Sequence, residues 1–205
     1  MKKGLLAVLM AVALVVPAFA AKGDKSVDAK IGLGVSNSCK MSGAGEMPDD
    51  MIMGIKAKTP VSLGAEFFYG LMDNLSLGFG VNYTFNSEST VESDGKVNVK
   101  MGTTNIYVAV KPEAKIDSDI FTSIYAIGQI GLAMNRMDAT VEGEFSFPSV
   151  DSGLYLGAGL GATIKDCVIV ELIFSSSNGS MSMNGESADV QYTATTFNVG
   201  YKFAL

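Results

Sequence analysis

The chain has 205 residues, 48% of them hydrophobic, with a formal net charge of −6, one arginine (Arg136) and no histidine. An acidic chain with a single guanidinium carries no footprint for nucleic acid. Without imidazole there is no Ser-His-acid or Cys-His nucleophile system of the usual kind and no histidine metal ligand, so the reading is non-enzymatic, with no catalytic residue, metal or cofactor.

Met1 to Ala20 reads as an export leader. Lys2 and Lys3 precede an apolar run from Gly4 to Val16, Pro17 breaks it, and Ala18-Phe19-Ala20 places small residues where a signal peptidase reads. The run is short for a hydrocarbon core of ~30 Å, and no Cys follows the expected cleavage site, which argues against a lipoprotein. Cleavage before Ala21 leaves one domain, 21–205. It removes two lysines and no acid, so the net charge goes from −6 to −8.

Eight runs then alternate with period two, the signature of strands with one apolar and one polar face. The first is Val27 to Ser36, apolar at Val27, Ala29, Ile31, Leu33 and Val35. The second is Val61 to Gly70, apolar at Val61, Leu63, Phe67 and Tyr69. The third, Leu75 to Phe85, sets Leu77, Phe79, Val81 and Tyr83 against Ser76, Gly78, Gly80 and Asn82. The fourth is about Val97 to Pro112. In the fifth, Ile120 to Ala133, the favoured phase turns Ile124, Ala126, Ile130 and Leu132 outward and Tyr125, Ile127 and Gln129 inward. The sixth, Gly153 to Ile164, sets Leu154, Leu156 and Leu160 against Gly157, Gly159 and Gly161. The seventh is Val168 to Ser175, and the eighth is Val190 to Leu205.

The connections alternate in length. Long ones follow strands one, three, five and seven: about Asn37 to Thr59, Asn86 to Lys96, Met134 to Asp151, and Ser176 to Asp189. Short ones follow two, four and six: Gly70 to Asn74, Glu113 to Asp119, and Lys165 to Cys167. Short turns on one rim and long loops on the other fit an outer membrane, with turns periplasmic and loops extracellular. The same strand order places Cys39 and Cys167 on opposite sides, so both are expected as free thiols.

A soluble eight-stranded barrel shares this alternation but shows water a face rich in Lys, Glu and Arg. Here the polar face is mostly Gly, Ser, Asn and Thr, a poor solvated surface and a good filling for a narrow tube. Outward Phe67, Tyr69, Tyr201 and Phe203 near one rim, and Tyr83, Phe85 and Phe174 near the other, make two aromatic belts. The fold class is therefore all-β: an eight-stranded antiparallel up-and-down transmembrane β-barrel, with bulky groups outward and small or hydrophilic ones lining the axis.

Inward charges are Asp28, Lys30, Glu66, Lys111, Glu171 and Lys202. Charges in a small barrel are costly unless paired. The expected cluster is Lys202 with Glu171 or Asp28, with Gly161 leaving room for Glu171. Such a lumen is filled, and no general diffusion pore is expected. The long loops are acidic (Glu46, Asp49, Asp50, Glu88, Glu92, Asp94, Asp138, Glu142, Glu144, Glu186) without EF-hand spacing, and read as solvated. They also hold Met41, Met47, Met51, Met53, Met134, Met137, Met181 and Met183, read as adaptable apolar contact groups rather than as a copper site.

The terminal strand carries a resemblance. Asn198, Gly200, Phe203 and Leu205 follow the pattern of the assembly signal that ends bacterial outer-membrane barrels, departing only in Leu205, where that family usually has Phe. With the architecture, this resembles the small eight-stranded outer-membrane barrels of the OmpX, OmpW and opacity-protein group and the transmembrane half of OmpA-like proteins. The resemblance implies integral residence in the cell outer membrane among lipid and lipopolysaccharide, and insertion by the outer-membrane assembly machinery. It also implies one of two roles. One is a filled barrel displaying four extracellular loops to an unknown extracellular ligand, or serving envelope integrity. The alternative is an OmpW-like narrow channel or binder for small hydrophobic compounds.

Overall fold

The computed structural model describes residues 23–43, 59–93, 95–116, 118–141, 151–183 and 186–205. The leader read at Met1 to Ala20 lies outside them. Eight strands make up the fold: β1 (Lys25–Gly43), β2 (Val61–Met72), β3 (Leu75–Ser93), β4 (Gly95–Lys115), β5 (Phe121–Val141), β6 (Gly153–Ile164), β7 (Val168–Met183) and β8 (Glu186–Ala204). Each pairs antiparallel with its sequence neighbours, and β8 closes onto β1, so the sheet has no free edge.

Which face each strand turns outward follows its alternation. Leu132, Leu160 and Phe174 are more than half exposed on the outside, whereas Asp28, Glu66 and Glu171 are fully buried inside. This inversion of a soluble protein places the bulky apolar groups where only hydrocarbon welcomes them. β5 takes the favoured phase: Ile124, Ile130 and Leu132 face out, while Tyr125, Ile127 and Gln129 are buried. Tyr83, Phe85 and Phe174 toward one end, and Tyr201 and Phe203 toward the other, are exposed outward rings.

Two expectations are corrected. The second and fourth long connections are largely strand: the β3–β4 ladder runs on to Ser93↔Gly95 and the β7–β8 ladder to Met183↔Glu186. β1 and β5 likewise continue to Gly43 and Val141. Apolar alternation stops where the outer face stops meeting hydrocarbon, but backbone pairing does not depend on it. Of the acidic loop positions, Glu46, Asp49, Asp50, Asp94, Glu142 and Glu144 lie outside the described residues, as do Met47, Met51 and Met53.

The second correction concerns the lumen. It is not lined by small and hydrophilic groups alone, because Phe68, Tyr107, Tyr125, Tyr155, Ile127, Ile169 and Ile173 are buried in it. The register explains how they fit. Phe68 faces Gly78, Tyr107 faces Gly80 and Gly131, Tyr125 faces Gly161, and Tyr155 faces Gly131. Each missing side chain seats a neighbouring strand's ring. A Cβ on Gly161 would stand 2.5 Å from Tyr125 Cζ, and one on Gly80 would stand 2.7 Å from Tyr107 Cε2. Across Gly131, the Tyr107 and Tyr155 rings meet with centroids 5.4 Å apart.

The strands differ in how they turn. Met72 and Leu75 are joined by a two-residue turn. β6 and β7 are joined at Lys165 and Asp166, both with positive φ (47° and 62°), the conformation that matches the twist of a tight hairpin. Near the other end, a register shift between Gly34 and Ser36 inserts an extra residue into β1. Residues beyond it change phase, which turns Cys39 inward.

Candidate functional site

The most chemically distinctive place in the barrel is a buried charged layer in the lumen. β1 supplies Asp28 and Lys30, two apart and so on one face. β2 supplies Glu66, directly opposite Asp28. Like charges in that relation repel, and they persist only if cations are drawn between them. Lys30 Nζ lies 2.5 Å from Glu66 Oε2 and 2.7 Å from Glu171 Oε2 on β7, bridging two carboxylates at once. Lys111 on β4 donates to Asp28 Oδ2 at 3.2 Å.

The remaining carboxylate oxygens are also held. Tyr107 and Gln129 donate to Glu66 Oε1 at 2.7 and 3.0 Å. The Tyr155 hydroxyl donates to Gln129 Oε1 at 2.8 Å, which fixes the amide's orientation. Tyr125 donates to Glu171 Oε1 at 2.9 Å, and Ser26 to Asp28 Oδ1 at 3.2 Å. Lys111 Nζ sits 3.8 Å above the centroid of the Phe68 ring and 5.0 Å from that of Tyr125, a cation held on two ring faces. Each oxygen of the three carboxylates thus faces a hydrogen-bond donor or an ammonium, and side chains from β1, β2, β4, β5 and β7 meet across the tube.

The sequence-derived cluster is partly reassembled. Asp28 and Glu171 belong to the layer, but their cations are Lys111 and Lys30. Lys202 stands opposite Asp28 in the β1–β8 register, yet among the described residues it makes no ion pair and is partly exposed. An ammonium at the rim keeps its water at little cost, whereas Lys30 and Lys111 are buried and must pair. The space beside Gly161 is taken by Tyr125, which then bonds Glu171. The sequence-derived cluster does not include Tyr107, Tyr155, Gln129 and Phe68; their signal is an inward glycine opposite each of them.

The four residues of the terminal pattern fall on or just beyond β8. Phe203 and Leu205 face outward, and the Leu205 amide donates to Lys25 O at 3.0 Å. Asn198 is buried inside. Gly200 stands opposite Lys30, and a Cβ there would be 2.7 Å from Lys30 Cγ. Its bare backbone lets the lysine stem pass over β8 to reach Glu171. Cys39, buried in the outer part of β1, and Cys167, in the β6–β7 turn, are both free.

Comparison with known proteins agrees with this architecture. No curated protein matches the chain. Among solved structures, OprG of Pseudomonas aeruginosa is 17% identical, covering 88% of this chain and 96% of its own, with a TM-score of 0.50. Ail of Yersinia pestis, solved with the heparin analogue sucrose octasulfate, is 12% identical over 89% of this chain and 100% of its own, with a TM-score of 0.49. Neisserial surface protein A is 16% identical over 89% and 100%, with a TM-score of 0.48. At 17% identity the likeness to OprG is one of fold. The family model for the outer membrane protein beta-barrel domain matches residues 5–203, and the chain is a member of that outer-membrane family.

Proposed function

We propose that this barrel is tight to solutes and acts through what it presents outside the membrane, in surface contact or envelope integrity, without a catalytic role. The observation that carries this is the buried Lys30–Glu66–Glu171 bridge with Lys111–Asp28 beside it, which crosses the tube in the half nearer the short turns. Extension of the β3–β4 and β7–β8 ladders past the apolar band supports a projecting, ordered platform for an extracellular ligand. In planar bilayers the refolded protein should give no steady conductance. Shortening the β7–β8 hairpin above Ser176 and Thr193 should leave a heat-modifiable barrel while removing binding to cells or surface ligands. Steady conductance would defeat this reading.

A second reading, a route or site for small hydrophobic compounds, draws on two apolar concavities. One, about 460 Å³, is bordered by Leu156, Ala158, Phe174 and Thr195. The other, about 520 Å³, is bordered by Pro112, Ala114, Ile124 and Leu160. Their borders are largely outward side chains, so lipid is their ordinary filling. Saturable uptake of an alkane probe into vesicles holding the protein, lost on Ala158→Phe, would favour this reading over the first. The leader, read by the export machinery, and the terminal Asn198, Gly200, Phe203 and Leu205, read by the assembly machinery, complete the proposal. Replacing Phe203 with Ser should slow insertion in cells more than folding into pure lipid.

A further inference from the structure

Beyond the apolar band, at the end of the long connections, the wall continues on β7, β8 and β1, and its inner face there changes chemistry. Cys39 and Val190 are buried on that face, 1% and 3% exposed, with Ser177 beside them. Strand alternation fixes which other residues share it. Met41 follows Cys39 on β1, and Met181 and Met183 follow Ser177 on β7, all in the same phase. The cross-strand rows read Cys39–Tyr192–Ser177, Met41–Val190–Gly179 and Gly43–Ala188–Met181, with Met183 opposite Glu186 one row further on.

Three thioethers and a thiol therefore share one face of three adjacent strands. Residues two apart on a strand stand side by side on one face, and sulfur takes that spacing twice here, in Cys39-Lys40-Met41 and Met181-Ser182-Met183. Cys39 is in no disulfide. β1 and β7 lie two strand spacings, about 10 Å, apart. Between them β8 carries Ala188 and Val190, and the same rows hold Gly43 and Gly179, so little bulk separates the two sulfur pairs. Methionine is long and unbranched, which suits it to such a span on the concave side of a barrel.

The sequence alone suggests adaptable apolar packing for these methionines, and that role needs hydrocarbon to pack with. Among the described residues the face offers one bulky aliphatic, Val190; its other positions are Gly43, Gly179, Ala188, Ser177, Tyr192 and Glu186. Met101 and Met137 make the contrast. They stand directly opposite one another on β4 and β5, on the face that also carries Val97, Val99 and Val141, where packing is reason enough. Sulfur without a hydrocarbon surround has the makings of a ligand set. Thiolate and thioether are soft donors that select Cu(I), whereas Zn(II) is ordinarily held by thiolate, imidazole and carboxylate.

We propose that the β7–β8–β1 face beyond the apolar band is a soft-metal site that takes Cu(I), with Cys39, Met41, Met181 and Met183 as its ligand set. On binding, the Cys39 S–H bond breaks, its proton passes to solvent and a Cu–S bond replaces it. The thioethers donate lone pairs, and the metal stays Cu(I) throughout. The site lies apart from the charged layer and goes beyond the solute-tight reading, so neither depends on the other.

The test is transfer of Cu(I) from its bicinchoninate complex to the full barrel in lipid vesicles, read by the colour of the complex and by X-ray absorption at the copper edge. One copper per barrel in an all-sulfur shell is the expected result, displaced by Ag(I) and not by Zn(II). Met181→Leu with Met183→Leu keeps the apolar volume and removes two ligands, so copper should stay with the chelator. Cys39→Ser should take one sulfur out of the shell. Met101→Leu with Met137→Leu should retain copper in full. The heat-dependent gel shift, run on each variant, identifies the folded barrel. No transfer to the unaltered barrel overturns the site, as does retention that survives the Met181 and Met183 replacements, or a shell unchanged in Cys39→Ser. Loss of copper on replacing Met101 and Met137, or displacement by Zn(II), overturns the ligand set.

Discussion

Lys30 is the residue on which the charged layer turns. Lys30→Met keeps the length of the stem and its packing over Gly200 but removes the ammonium that Glu66 and Glu171 share at 2.5 and 2.7 Å. Three buried carboxylates then face one buried ammonium, Lys111. Removing one partner of a buried pair costs about 3–5 kcal/mol, because the other charge is left uncompensated. The hydroxyls of Tyr107 and Tyr125 remain on the two carboxylates and favour the lower part of the range. A loss of about 3–4 kcal/mol is expected at pH 7.

The chain has no tryptophan, so unfolding is best followed by urea titration in lipid vesicles, read by circular dichroism and by the heat-dependent gel shift. A second substitution sharpens the reasoning. Glu171→Gln in the Lys30→Met background removes one surplus charge and keeps a hydrogen-bonding group beside Tyr125, and it should recover about 1–3 kcal/mol. If Lys30→Met costs under about 1 kcal/mol at pH 7 and the second change restores nothing, the layer is not a mutually dependent set of ion pairs.

Three further outcomes follow from the same geometry. Gly161→Ala places a Cβ 2.5 Å from Tyr125 Cζ, so the ring must move off Glu171. The expected loss is about 1–3 kcal/mol, while Gly64→Ala, whose nearest contact would be an ordinary 3.5 Å, should stay within about 0.5 kcal/mol, both read by the urea midpoint. Tyr107→Phe removes one of the two donors on Glu66 Oε1 and should cost about 1.5–3 kcal/mol, less if Gln129 closes in. Leu160→Lys, at a mid-strand position 69% exposed on the outer wall, should cost about 2–4 kcal/mol in bilayers, where a water-facing position would be nearly neutral.

The architecture was legible because each strand states its own orientation. Leu75, Leu77, Phe79, Val81 and Tyr83 alternate with Ser, Gly and Asn, and no knowledge of neighbours is needed to see which side meets lipid. Where that signal stops, the sequence marks no strand: Ser87 to Glu92 and Ser176 to Ser182 have no apolar face, and only their cross-strand pairing shows that they continue the wall. The inward set of charges was legible for the same reason, since Asp28, Lys30, Glu66, Lys111 and Glu171 all fall in the phase opposite the apolar one.

Who pairs with whom was not legible, because it belongs to the circumference and not to any strand. Lys202 is Asp28's neighbour in register, yet Asp28 takes Lys111 from three strands away; Lys30 passes over β8 to reach β7. Such partners are reachable because the tube is narrow, and the tube stays narrow without clashes because glycines stand beneath the large groups. Gly80, Gly131 and Gly161 give up their side chains to Tyr107, Tyr155 and Tyr125, and Gly200 gives up its own to the Lys30 stem. The glycine columns and the buried charges are therefore one feature. The tyrosines that the glycines seat are the donors that make Glu66 and Glu171 tolerable inside a membrane, so a glycine replacement should act on the ion pairs it never touches.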